Sequence, residues 1–454
     1  MNEVKLMNRA ADNIRILAAA AVEKAKSGHP GGAMGGADFI NVLFSEYLVY
    51  DPENPAWEGR DRFFLDPGHM APMLYAQLCL AGKYTTDDLQ TLRQWGSVCP
   101  GHPERNIERG IENTSGPLGQ GHAYAMGAAI AAKFLQARFG EVVKQTIYAF
   151  ISDGGVQEEI SQGVGRLAGH LGLDNLIMFY DSNSIQLSTG CEEVTSEDVR
   201  KKYEAWGWYV QTIDGNDPVE IRVALNNAKA EKSRPSLIIG QTVMGKGTVT
   251  ADGQCFEGKC STHGQPLSKS GASFEQTILN LGGDPADPFR IFPEVKKMYE
   301  ARAAELKAIA NKRYEEFYQW QQNNPELAQM YEQFFSGEEP QVDWSRIVQK
   351  QGASTRAASA AVLSELALQG PNMIVASADL SNSDKTDGFL KKTHAFRNGD
   401  FTGAFLQAGV SELTMACACI GMMLHGGVRA ACGTFFVFSD YMKPAVRMAA
   451  LMEL

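Results

Sequence analysis

A chain of 454 residues is too long for one ordinary core, and about 150 residues per domain divides it into two or three. Its 44% hydrophobic and 21% charged residues are ordinary for a soluble globular protein, while a net charge of -11 with no basic segment excludes wholesale nucleic-acid binding. The eight cysteines form no CxxC pair and no regular framework, so they read as reduced thiols of a cytoplasmic protein.

In chain order, the apolar run Ile16–Val22 is short and leads into Glu23-Lys24-Ala25-Lys26, which is no cleavage site. Thr114-Ser115-Gly116-Pro117-Leu118-Gly119-Gln120-Gly121 then opens a small-residue helix over His122–Ala132. Thr146–Ile151 and Asn175–Tyr180 are brief runs rich in aromatic and β-branched residues, ending at Ser152-Asp153-Gly154 and Asp181-Ser182-Asn183. With Leu237–Val243 and the intervening helix Ile160–Leu171 they predict βα units, hence an α/β fold with parallel sheets flanked by helices. Ligands bind such sheets at the carboxyl ends of the strands, where both polar turns fall. Residues 294–320 predict an amphipathic helix with Met298, Leu306, Ile309 and Phe317 on one side. A linker over 336–349 begins at Ser336-Gly337-Glu338-Glu339-Pro340.

A second α/β unit follows, with a helix at Ala357–Leu368, a strand at Met373–Ser377 and an apolar run at Val428–Phe438. Leu413–Leu424 is short of the roughly 18 residues a membrane span needs and reads as a buried helix. The last predicted helix, Lys443–Leu454, carries Val446, Met448, Ala449 and Leu451 and has no strand after it, so the unit is expected to be incomplete as given.

Three features carry chemistry. An acid at Asp153 and an amide carbonyl at Asn183, on adjacent strand ends, can hold a hard cation that bridges a diphosphate; alone, such a turn is as well read as an Asx turn. The Gly116–Gly121 turn exposes backbone N–H groups to phosphate or to a close-packed ligand. No strand precedes it directly, which argues against a dinucleotide fold. Four of the eight histidines, His29, His69, His102 and His263, sit in Gly/Pro turns that fix an imidazole with little entropy to lose. Cys255, Cys260 and His263 lack a fourth zinc ligand at any usual spacing.

Together, Ser27-Gly28-His29-Pro30-Gly31, Pro67-Gly68-His69, Pro100-Gly101-His102-Pro103, Gly116–Gly121, Asp153…Asn183, His263-Gly264, Ser377-Ala378-Asp379-Leu380, Gly409-Val410-Ser411-Glu412 and Phe435…Phe438…Tyr441 resemble transketolases, in family order over nearly the whole chain. The resemblance implies a diphosphate-binding domain over residues 1–335 and a partial pyrimidine-binding domain over 350–454. It implies thiamine diphosphate held through Mg²⁺ or Ca²⁺, with Asp153, Asn183 and the carbonyl of Ile185 as metal ligands. His69, His263, Gly116, Pro117, Leu118, Gly154 and Asn183 would contact the cofactor, and Phe435, Phe438 and Tyr441 would pack around its pyrimidine; ordinary core filling would suit the same aromatics. Glu412, beside Val410 and Leu413 in an apolar stretch, would be the catalytic carboxylate that shares a proton with the pyrimidine and so activates the thiazolium carbon. His29, His102 and His263 would face the sugar, Asp379 would lie near a hydroxyl, and Arg356 and Ser383 would meet its phosphate.

The implied activity is transfer of a two-carbon ketol unit between sugar phosphates in the pentose phosphate pathway, by a homodimer with shared sites. A dihydroxyacetone synthase or an inactive, regulatory cofactor-binding homologue are the alternatives. This sequence departs from the family at Ser152, usually glycine, and at Gly163, where many members carry a glutamate that, with the match to Glu158, links two sites across the dimer.

Overall fold

Aromatic and β-branched runs become strands where both of their faces can be covered. In the computed structural model, which describes residues 1–454, eight strands form two parallel sheets. The first has the order β1-β2-β3-β5-β4. Its strands are β1 (Arg62–Leu65), β2 (Ile147–Ser152), β3 (Leu176–Ser182), β4 (Tyr209–Asp214) and β5 (Ser236–Gln241). Side chains alternate between two cores along each central strand. Tyr148, Phe150, Ile177 and Phe179 enter one cluster, while Ala149, Ile151, Met178 and Tyr180 enter the other. A sheet buried on both faces needs continuously apolar strands, which is why β2, β3 and β5 stand out in the sequence. Strands β1 and β4 carry no such apolar run. β1 is four residues long, and β4 is a half-exposed edge that alternates with polar residues.

The second sheet has the order β7-β6-β8, from β6 (Met373–Ser377), β7 (Phe405–Gln407) and β8 (Arg429–Gly433). Only the first part of the predicted run Val428–Phe438 is strand. Its aromatic end winds into a 3₁₀ turn over Phe436–Met442.

The two units share a core through helices Gln120–Phe139 and Glu412–His425. The first is longer than the predicted 122–132. The helices cross with backbones nearly touching: a Cβ on Gly127 would overlap the Ala418 carbonyl, and one on Gly421 the Tyr124 carbonyl. Glycine at both positions is what lets the crossing form.

The long helix runs Pro293–Asn323 and buries Met298 and Leu306 as expected. Ile309 and Phe317, expected on the same side, are only partly buried and pack in two other clusters. The last helix covers Lys443–Leu451 and buries Ala445 and Met448, whereas Val446 and Leu451, expected in its apolar face, are exposed. No helix is long and apolar enough to cross a membrane.

Candidate active site

Because the sheet is parallel, the carboxyl ends of β1, β2, β3 and β5 open on one edge, and the predicted turns gather there. At the end of β2, Ser152 has φ -122 and ψ 173, extended backbone that serine adopts without strain, so its departure from glycine is accommodated. Its hydroxyl accepts the Gly155 N–H at 3.4 Å and caps the short helix Asp153–Gln157.

Asp153 is buried. Its Oδ2 accepts N–H bonds from Asn183 (3.1 Å) and Ser184 (2.9 Å), and its Oδ1 accepts the Tyr180 hydroxyl at 2.5 Å. Asn183 donates to Asp181 Oδ2 at 3.2 Å and accepts the N–H of Ile185 at 3.0 Å. The Asx turn thus sits at Asn183, while at the Asp153-Gly154 turn the Ser152 hydroxyl takes the Gly155 N–H in place of Asp153. Burial raises the carboxyl of Asp153 above its ordinary range. Burial first, and then the charge of Asp153, lifts Asp181 to about 7. No basic side chain is among the groups that lower either one.

Two desolvated acids without a cation suit a metal ion. On the loop after Asn183, the Ile185 carbonyl accepts no backbone hydrogen bond. The donor set is all oxygen and matches a hard divalent cation. An open groove of about 400 Å³ runs past Asp153, Tyr180, Ser184 and Cys191.

Three of the four predicted histidines form one cluster. Ring centroids lie 5.1 Å apart for His29 and His69, 5.2 Å for His69 and His263, and 5.7 Å for His29 and His263. Burial, followed by the neighbouring His263, pushes His29 down to about 4. Burial likewise holds His69 well below its ordinary value and lowers His263 and His102. The rings are therefore neutral at pH 7, with Nδ1 of His29 and of His263 buried and unpartnered. His102 is more exposed and borders the cluster through Gly68, where a Cβ would come 2.9 Å from its ring and from the Gly116 nitrogen. Gly264 leaves room for Leu187 and His29, which joins the cluster to the loop after Asn183.

Gly116 has φ +154, a conformation that favours glycine. Pro117 is exposed, and Leu118 packs over Gly154, where a Cβ would meet its methyl at 2.9 Å. Part of the N–H set that this turn is expected to offer to phosphate or a close-packed ligand is already committed. Asp66, at the end of β1, takes the N–H of Gly119 at 3.1 Å and that of His122 at 3.2 Å. Asp66, between Leu65 and Pro67, carries no local motif that marks it in the sequence.

The second unit pairs some of its own predicted residues. Arg356 donates to the Ser383 carbonyl at 3.1 Å, and Asp379, with φ 62, follows β6 nearby in sequence. Glu412 is half-buried in the first turn of its helix. Its surroundings are less apolar than expected, since Val410 is 80% exposed. Phe435 and Phe438 stack at 6.0 Å, and Phe438 and Tyr441 lie 6.4 Å apart. Spacing of three eclipses side chains on a 3₁₀ turn, which aligns this ladder. It is not core filling: Phe435 and Phe438 are half-exposed and Tyr441 is 63% exposed. No side-chain hydrogen bond or ring contact joins these residues to the histidine cluster within one chain. Gly163 faces the start of the Glu412–His425 helix, where a Cβ would overlap the Thr414 hydroxyl and approach Ser411 Oγ to 2.8 Å. A glutamate there has no room.

Comparison with known proteins agrees with this arrangement. Residues 6–340 match the family model for the transketolase thiamine diphosphate binding domain, and residues 351–454 match that for the transketolase pyrimidine binding domain. The transketolases of Geobacillus stearothermophilus and Bacillus subtilis (strain 168) are each 39% identical, over 97% of this chain. The chain spans 66% of the length of each. Transketolase from Leishmania mexicana superposes with a TM-score of 0.93 at 33% identity, covering 98% of this chain and 67% of that one. Pichia stipitis transketolase in complex with sedoheptulose-7-phosphate superposes with 0.92 at 32% identity, covering 99% and 67%. With both family models matched and the fold shared throughout, the chain belongs to the transketolase family.

Proposed function

We propose that this chain binds thiamine diphosphate and transfers a two-carbon ketol unit from a ketose phosphate to an aldose phosphate. The observation that carries the proposal is the neutral, partly unpartnered histidine cluster packed against the loop that follows the Asp153–Asn183 turn. Asp153, Asn183 and the Ile185 carbonyl would hold Mg²⁺ or Ca²⁺ on the diphosphate, while Gly116, Leu118 and Gly154 would line the cofactor. When bound, thiamine diphosphate supplies a carbon nucleophile that accepts and releases the ketol unit.

The protein's own groups bind, orient and move protons around that chemistry. His29 and His263 present buried nitrogens to sugar oxygens, and neutral rings can both donate and accept there. Glu412 would hold a proton at the pyrimidine, with Phe435, Phe438 and Tyr441 forming an apolar wall. Arg356 and Ser383 would meet the sugar phosphate. Since these second-unit groups lie apart from the histidine cluster of their own chain, a two-fold homodimer with shared sites fits them best. The exposed aromatic ladder and Val410 supply apolar surface for such a contact. Free thiols throughout suit a cytoplasmic setting.

Calorimetric titration with thiamine diphosphate and Mg²⁺ tests the site. Asp153→Ala is expected to abolish binding while leaving the circular dichroism spectrum unchanged, and unaltered affinity would sink the assignment. A protein that binds the cofactor yet moves no ketol unit from xylulose 5-phosphate to ribose 5-phosphate would refute the reaction.

A further inference from the structure

Asp66 is a buried carboxylate, fully out of solvent, with no lysine or arginine among its partners. Its bonds all go to the start of helix Gln120–Phe139. Oδ2 accepts the N–H of Gly119, and Oδ1 accepts the N–H of His122 and faces His122 Nδ1 at 3.2 Å. Gly119 is the helix's own N-cap residue, with φ 86 and no side chain to cap with. Asp66 therefore supplies the cap from another segment of the chain, and its charge sits at the positive end of the helix.

The same carboxylate reaches a third segment. A Cβ on Gly155 would lie 2.5 Å from Oδ2, and one on Gly121 would lie 2.5 Å from the Asp66 Cα. Three turns thus close on one side chain: Pro67-Gly68-His69, Gly116–Gly121 and Ser152–Gly155. His122 is fully buried as well, and its Nε2 has no partner. With Nδ1 against a carboxylate, the ring must carry its proton there, because the other tautomer would set two acceptors against each other.

We infer that Asp66, with His122, is a positioning residue for the cofactor pocket: it locks the Gly116–Gly121 turn against the Asp153 turn before any ligand arrives. It also commits the N–H groups of Gly119 and His122 at the helix N-terminus, which are then not free for phosphate. The inference rests on the thiamine-diphosphate reading given above. Asparagine at position 66 has nearly the same shape, but its NH₂ must point a donor at one of the donors Asp66 now satisfies.

Asp66→Asn in the full chain is therefore expected to speed amide exchange across residues 118–123 at least tenfold in the cofactor-free protein. Thiamine diphosphate affinity with Mg²⁺, by calorimetry, should weaken at least tenfold. Exchange in β3 and in Glu412–His425 should match the parent. Unchanged exchange in 118–123, or an affinity within twofold of the parent, would overturn the inference. A parent chain that binds no thiamine diphosphate refutes the functional reading and with it the cofactor role, whereas the exchange result separately decides whether Asp66 caps the helix. Should Asp66→Asn fail to fold, His122→Phe keeps both backbone bonds and removes only the ring contact. It is expected to loosen the same segment by a smaller factor, and parental exchange and affinity there would count against the pair.

Discussion

Replacing His29 by glutamine removes one titrating group from the histidine cluster and leaves a polar side chain in its place. The folded protein holds His29 at about 4 against an ordinary 6.5, through burial first and then the adjacent His263. Well above pH 6.5 neither the folded nor the unfolded chain protonates it. As the pH falls from 6.5 toward 4, the unfolded chain takes up a proton that the folded chain refuses, so stability falls across that window. The full gap corresponds to at most about 3 kcal/mol. His29 is half-buried, and screening reduces this to about 1–2 kcal/mol. Roughly half of it, about 1 kcal/mol, should be spent by pH 5. His69, His102 and His263 are also held low, so the whole cluster pulls in the same direction. Urea unfolding at pH 7 and pH 5 measures the loss. His29→Gln should lose about 1 kcal/mol less than the parent on acidification. If both lose equally, or if the parent gains stability at pH 5, the cluster is not the neutral, desolvated group described here.

Two further outcomes follow from the contact between the units. Gly163→Ala drives a methyl into Thr414 and should cost about 1–3 kcal/mol in denaturant unfolding, with Thr414→Ala in the same chain restoring much of it; an unchanged midpoint in the single variant contradicts the packing. If sites are shared between subunits, mixing Asp153→Ala chains with Glu412→Ala chains should restore some active sites, read as ketol transfer that neither variant shows alone, and mixed dimers with no recovery would refute sharing.

What the sequence disclosed depended on how far apart the cooperating residues lie. The central strands were legible because a sheet covered on both faces demands unbroken apolar runs, and Tyr148 and Ala149 serve different cores without a polar break. The edge strand β4 carries no such demand. Asp153 and the histidines were legible because each sits in a local motif whose geometry a few neighbouring residues impose. Glu412 was legible through the Gly409-Val410-Ser411-Glu412 motif and not through its surroundings, since Val410 beside it is exposed, and the aromatic ladder became intelligible only once its 3₁₀ spacing was seen. Asp66 was the hardest case. Its partners lie 53 and 56 residues away, and Asp-Pro in a chain reads as a turn. Yet the glycine that defeats local capping at position 119 poses a question the sequence does contain: a buried helix start with no Ser, Thr, Asn or Asp at its cap must find an acceptor elsewhere. The candidates are the polar residues at neighbouring strand ends, and a parallel sheet brings those ends to one edge. A missing local cap is thus a signal that some distant carboxylate or hydroxyl is committed, and in this chain that commitment binds together the turns that form the site.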